Sequence, residues 1–126
     1  MPNPTLDVVC LCAAWCGTCR DYEATFEALQ AALPGHRYAW IDIEDQADAI
    51  GDIDVETFPT LMVASQGRVL FAGPVLPRLG DAQRLLQVQV ERVAQGDVSL
   101  SGSLPLDQAQ AFAALAQGRY AGADQA

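Results

Sequence analysis

The segment Trp15-Cys16-Gly17-Thr18-Cys19 constrains this chain more than any other. A short apolar run, Val8-Val9-Cys10-Leu11-Cys12-Ala13, precedes it, and a stretch of helical period from about Cys19 to Leu33 follows. Strand, Cys-x-x-Cys, helix is a specific order. It sets the first sulfur at a helix N-terminus, where unpaired backbone N–H groups and the macrodipole favour negative charge. The thiolate is the nucleophile of disulfide chemistry, so this placement arms Cys16. The helix turns the chain so that Cys19 comes back under Cys16, and the two can close or open a small disulfide ring.

The first strand spans about residues 6–13 and is apolar on both flanks, as a central parallel strand is. Alternation puts Val8, Cys10 and Cys12 on one face and Val9, Leu11 and Ala13 on the other. The following helix carries Tyr22, Phe26, Leu29 and Leu33 on one stripe and ends at Pro34-Gly35. His36, in the turn after it, is expected to be exposed and without a role. Residues 38–43 form a second strand, parallel to the first across a right-handed βαβ unit. An acidic stretch from Glu44 to Glu56, with a short helix near Gln46–Ile50, reads as a solvated face or as a surface that selects basic partners.

Phe58-Pro59-Thr60 precedes a third strand, residues 61–64, and the Gln66-Gly67 turn returns the chain as a fourth, residues 68–72. A helix capped by Asp81 then bears Leu85, Leu86, Val90 and Val93 and stops at Gly96. Ser99 to Ser103 reads as a linker. A second small helix, Gln108 to Gln117, is capped by Asp107 and bears Ala109, Phe112, Leu115 and Ala116. Gly118 closes it, and the last six or so residues are expected to fray.

Composition narrows the class. The chain has 126 residues, 51% of them hydrophobic and 18% charged, which suits one globular domain with a modest core. A net charge of −9 repels nucleic acid and anionic membranes. No run is long enough to span a bilayer, and the N-terminus lacks the positive region of a signal peptide, so the expected location is cytoplasmic. All four cysteines fall between residues 10 and 19, which is no disulfide framework and points to redox chemistry or metal.

The order β-α-β, hairpin, helix, with Cys-x-x-Cys at the first strand–helix junction, resembles the thioredoxin-like family over roughly residues 6–95. Trp15-Cys16-Gly17-x-Cys19, Phe58-Pro59-Thr60 and Gly67 carry the likeness. The resemblance implies an α/β thioredoxin-like fold, a minimal βαβ-ββα core with a four-stranded mixed sheet flanked by helices. It also implies a cis Pro59 facing the cysteine pair, with Phe58 lending its backbone to an extended substrate. Four departures stand out. The strand and helix that open full-length thioredoxins have no room before residue 6. Thr18 replaces the usual Pro. The family's buried Asp on the first strand is Cys10, and its partner Lys on the next strand is Trp40. The chain beyond residue 96 has no counterpart, and the expected division is a thioredoxin-like domain over 1–96 with a linker and helical extension over 97–126. That extension is expected to cover apolar surface left by the missing N-terminal elements.

The chemistry this implies is thiol–disulfide exchange. Cys16 attacks a protein or small-molecule disulfide and Cys19 resolves the mixed disulfide. Trp15 flanks the sulfur, Gly17 and Thr18 shape the ring, and Phe58 and Pro59 hold the substrate. Cys10 is a possible modulator of the pair, or an inert core thiol. Cys12 is read as a small buried hydrophobe. No cofactor is implied, and the electrons come from a reductase or a low-molecular-weight thiol. The alternative is a zinc or iron–sulfur module using Cys10, Cys12, Cys16 and Cys19. The intact cysteine pair argues against a redox-inert scaffold.

Overall fold

A computed structural model describes residues 5–12, 17–42, 59–65, 68–76, 78–102, 104, 106–115 and 121–122. The acidic stretch with its expected short helix, the expected Gln66-Gly67 turn and the expected end of the last helix lie outside the described residues. Among the described residues, eight elements follow in chain order: β1 (Asp7–Cys12), α1 (Gly17–Ala32), β2 (Arg37–Asp42), β3 (Thr60–Ser65), β4 (Arg68–Pro74), α2 (Leu79–Ala94), α3 (Leu106–Leu115) and β5 (Ala121–Gly122). The sheet order is β4-β3-β1-β2-β5. β1 runs parallel to β2 and antiparallel to β3, and β3 and β4 form the expected hairpin, with a bulge between Val63 and Ala64. The four expected strands make the body of the sheet. The two-residue β5, from a stretch expected to fray, adds antiparallel to the outer edge of β2.

Every residue of β1 is buried, as its unbroken apolar run requires of a central strand. The alternation holds: Val8, Cys10 and Cys12 join one core cluster, and Val9 and Leu11 the other. α1 presents Tyr22, Phe26 and Leu29 to the first cluster, and Leu33 packs at its border. Phe26 meets the ring of Tyr38 edge-on at 5.8 Å and that of Trp40 at 5.7 Å. These contacts lock α1 across β1 and β2. α2 lies on the same face through Ala82 and Leu86, with Leu85, Val90 and Val93 only partly buried.

Three local expectations are corrected. α2 begins at Leu79, after Arg78 in extended backbone with no side-chain cap, so Asp81 lies in the first turn and is not the cap. α3 likewise begins at Leu106, which places Asp107 inside its first turn. His36 is buried, at 9% exposure, because its Nδ1 accepts the backbone N–H of Leu6 at 3.0 Å. A lone histidine in a turn reads as solvated, but this one ties the entry of β1 to the exit of α1.

The segment expected to be a linker is an ordered strap. α2 ends in a Schellman motif: Gly96, at φ +84°, donates its N–H to the Val93 carbonyl, and Asp97 donates to that of Arg92. The chain then runs beside β4. Ser101 donates to Leu70 O at 2.9 Å, and Ala72 donates to Ser101 O at 3.0 Å. Arg92 fastens the strap from the side, donating to Gln89 Oε1, Leu70 O, Ser101 Oγ, Ser99 O and the Asp97 carboxylate. Beyond the strap, Leu104 and Ala109 of α3 are buried in the second cluster.

Candidate functional site

The site is built at the C-terminal end of β1. Extending the α1 stripe back from Tyr22 by three residues reaches Cys19, in the first turn, so the geometry that buries Tyr22 and Phe26 also turns Cys19 toward the sheet. β1 offers Cys12 there as its last residue, on the face that α1 covers. Both are 1% exposed. A disulfide joins them, with Cα atoms 5.7 Å apart, inside the usual span for such a bond.

This corrects the reading of Cys12 as an inert core hydrophobe. The residue is buried as expected, but its sulfur has a covalent partner. The signal was present in the sequence: Cys19 continues the stripe Tyr22, Phe26, Leu29, and Cys12 shares the face of Val8 and Cys10. A helix stripe and a strand face that pack together bring their cysteines together.

Cys10, two residues back along β1, is free and fully buried. It stands opposite Trp40 of β2 and Leu61 of β3. Burial pushes its thiol well above the ordinary value. Burial thus favours its thiol form over the thiolate. The phenol of Tyr22 is also pushed up, chiefly by burial and then by the charges of Cys10 and Asp81. The Tyr22 hydroxyl and one Asp81 carboxylate oxygen are buried with no hydrogen-bond partner among the described residues.

Pro59 is buried immediately before β3. β1 and β3 pair Leu11 with Thr60, so continuing the register one step sets Pro59 opposite Cys12. Its carbonyl accepts the Val75 N–H at 3.1 Å, which carries the chain after β4 to the same end of the sheet. The next residue, Leu76, is 59% exposed and sets an apolar side chain beside this end; nothing in its sequence context marked it. Gly17 opens α1 and is exposed. Trp15, Cys16 and Phe58 lie outside the described residues, as does the side chain of Thr18. The structure thus joins Cys12 and Cys19, with Pro59 at the same end of the sheet and Cys10 deeper in the same core.

Among the described residues, no group of three or more His, Cys, Asp or Glu side chains could hold a metal ion. Two of the four sulfurs of the metal alternative are spent on each other. No helix among the described residues is long and apolar enough to cross a membrane.

Comparison with known proteins agrees with this geometry. The family model for thioredoxin matches residues 3–74. A protein of Streptomyces coelicolor assigned as thioredoxin 2 is 26% identical over 97 residues, covering 71% of this chain and 72% of that one. The H-type 2 thioredoxin of Nicotiana tabacum is 28% identical over 65 residues, 52% of this chain, and the match spans 55% of its length. In three dimensions, Fasciola hepatica thioredoxin superposes with a TM-score of 0.56 at 24% identity, over 71% of this chain and 82% of that one. Sheet order, the cysteine-bearing strand–helix junction and the family match over more than half of the chain converge, and the chain belongs to the thioredoxin family of thiol–disulfide oxidoreductases.

Proposed function

We propose that this protein exchanges thiols and disulfides through Cys16 and Cys19. The Cys16 thiolate attacks one sulfur of a substrate disulfide; a Cys16–substrate bond forms and the other substrate sulfur leaves as a thiolate. Cys19 then attacks Cys16, the substrate's second sulfur departs, and a Cys16–Cys19 bridge remains. A reductase or a low-molecular-weight thiol supplies the two electrons that reopen it. Trp15, Gly17 and Thr18 frame the attacking sulfur, and Phe58 and Pro59 hold an extended substrate. Cys10 replaces the carboxylate that would take the resolving thiol's proton, so resolution is slow near neutral pH. The working unit is residues 1–96, with 97–126 as an extension packed on it, and the expected compartment is the cytoplasm.

The observation that supports this reading is the burial of Cys19 in the first turn of α1. A shielded sulfur at a helix mouth is placed to resolve, not to attack. Reduction of a protein disulfide driven by dithiothreitol tests it. Cys16→Ser should lose at least about 100-fold in rate, and Cys19→Ser should accumulate a stable mixed disulfide. A Cys16→Ser protein with the wild-type rate would overturn the assignment.

A further inference from the structure

We infer that Cys12 is a third exchange thiol, and that Cys19 alternates between two disulfide partners. The inference rests on the reading of Cys16 as nucleophile. Cys19 has one sulfur and two cysteines that compete for it: Cys16, three residues upstream, and Cys12, to which it is bonded. No backbone movement is needed for the second bond, because the β1 end and the first turn of α1 already hold the two Cα atoms 5.7 Å apart. Cys10 does not compete. It lies one side-chain pair deeper on the same face, about 6.6 Å along the strand from Cys12, and is free.

The step is an internal exchange. The Cys12 thiolate attacks Sγ of Cys19 in the Cys16–Cys19 disulfide. The Cys12–Cys19 bond forms, the Cys16–Cys19 bond breaks, and Cys16 leaves with the electron pair as a thiolate. The proton lost by Cys12 passes to solvent or to Cys16. No electrons are gained or lost overall, so no outside oxidant is required.

The exchange changes what the protein does next. With Cys19 tied to Cys12, Cys16 is a nucleophile without its resolving partner. A mixed disulfide formed at Cys16 then persists until an outside thiol attacks it, and the two-thiol exchanger has become a one-thiol exchanger. Both sulfurs of the new bond are buried, which shields it from outside thiols. The route back is the reverse step, attack of Cys16 on Cys19.

The unmutated protein gives the test. Arg20 is the first basic residue, so a single tryptic peptide holds all four cysteines. The protein is equilibrated in glutathione buffers of increasing oxidation, quenched in acid, denatured and alkylated, and that peptide is fragmented without reduction. A Cys12–Cys19 bond leaves labels on Cys10 and Cys16; a Cys16–Cys19 bond leaves them on Cys10 and Cys12. Labels on Cys10 and Cys16 in a share that grows with oxidation are expected. Labels confined to Cys10 and Cys12 at every ratio overturn the inference. Two variants, both in a Cys10→Ala background, separate it from the reading beneath it. Cys16→Ser leaves only Cys12 and Cys19 and should lose both thiols without taking up glutathione. Cys12→Ala leaves only Cys16 and Cys19 and should also close. If the second closes and the first does not, Cys12 is no exchange thiol. If the first closes and the second does not, the Cys16–Cys19 dithiol fails, and the exchange fails with it.

Discussion

The two faces of the sheet are built by different means. On one, α1 and α2 press Tyr22, Phe26, Leu29 and Leu86 onto Val8, Cys10 and Cys12. The chemistry sits at the rim of this face, and side-chain periodicity specifies the packing. On the other, Val9, Leu11, Ile41 and Met62 are met by Leu104 and Ala109, brought there by the strap after α2. Here the cover is held by backbone hydrogen bonds to β4 and by one arginine. Large side chains buried deeply make the first face expensive to disturb. The second depends on a close backbone approach, so it is sensitive at few positions and tolerant elsewhere.

The largest effect is expected at Leu29, fully buried at the centre of the first face. Leu29→Ala should lower unfolding stability by about 2–5 kcal/mol, read as a drop in the urea midpoint. Next comes Gly102. It holds φ +95°, and an added Cβ would stand 2.3 Å from the Ala72 carbonyl oxygen. Gly102→Ala should cost about 1–3 kcal/mol and speed amide hydrogen exchange at Ala72 and Ser101 while leaving the amides of α1 protected. If α1 exchanges as fast as the strap, the two faces unfold as one unit and the contrast between them fails.

The smallest effect separates the faces by pH. His36 borders the first face, and burial lowers its pKa from the ordinary value. Its neutral form accepts the Leu6 N–H. A base whose pKa is lowered on folding contributes stability that is full above its unfolded value of about 6.5 and is lost as pH falls from there toward the folded value. Asp97, on the strap, is pulled down to about 2, first by the Arg92 hydrogen bond and then by Ser99. Its contribution is full above the ordinary carboxylate value of about 3.9 and fades only as pH falls below that. Mild acid should therefore loosen the first face while the strap's ion pair holds. His36→Asn, which keeps a short acceptor, should flatten the urea midpoint around pH 6; an unchanged slope would mean another group titrates there.

What was legible follows the same division. β1, the α1 stripe and the β3–β4 hairpin were readable because alternation and helical period report which side chains face the core. The strap was not. Ser99-Leu100-Ser101-Gly102-Ser103 has the composition of a linker, and the ladder that pairs residue 101 with β4 is made by backbone groups, which leave no mark on sequence. His36 was misread for a related reason: its partner is the N–H of Leu6, thirty residues away. The cysteines were read as a motif when their packing faces already paired Cys19 with Cys12. The fold class came from the order of elements, and the bond that those two packing faces allowed was seen in the geometry.

The strap also covers one edge of the sheet. An open sheet ends in strands with unspent backbone groups, which invite another chain to add edge to edge. Here the outer side of β4 is spent on residues 101 and 104, through Ser101 to Leu70, Ala72 to Ser101 and Leu104 to Ala72. The outer side of β2 pairs with β5 at Arg37 and Tyr38. The strap thus acts as a selvedge, the woven border that keeps a cloth from unravelling or being stitched to the next piece.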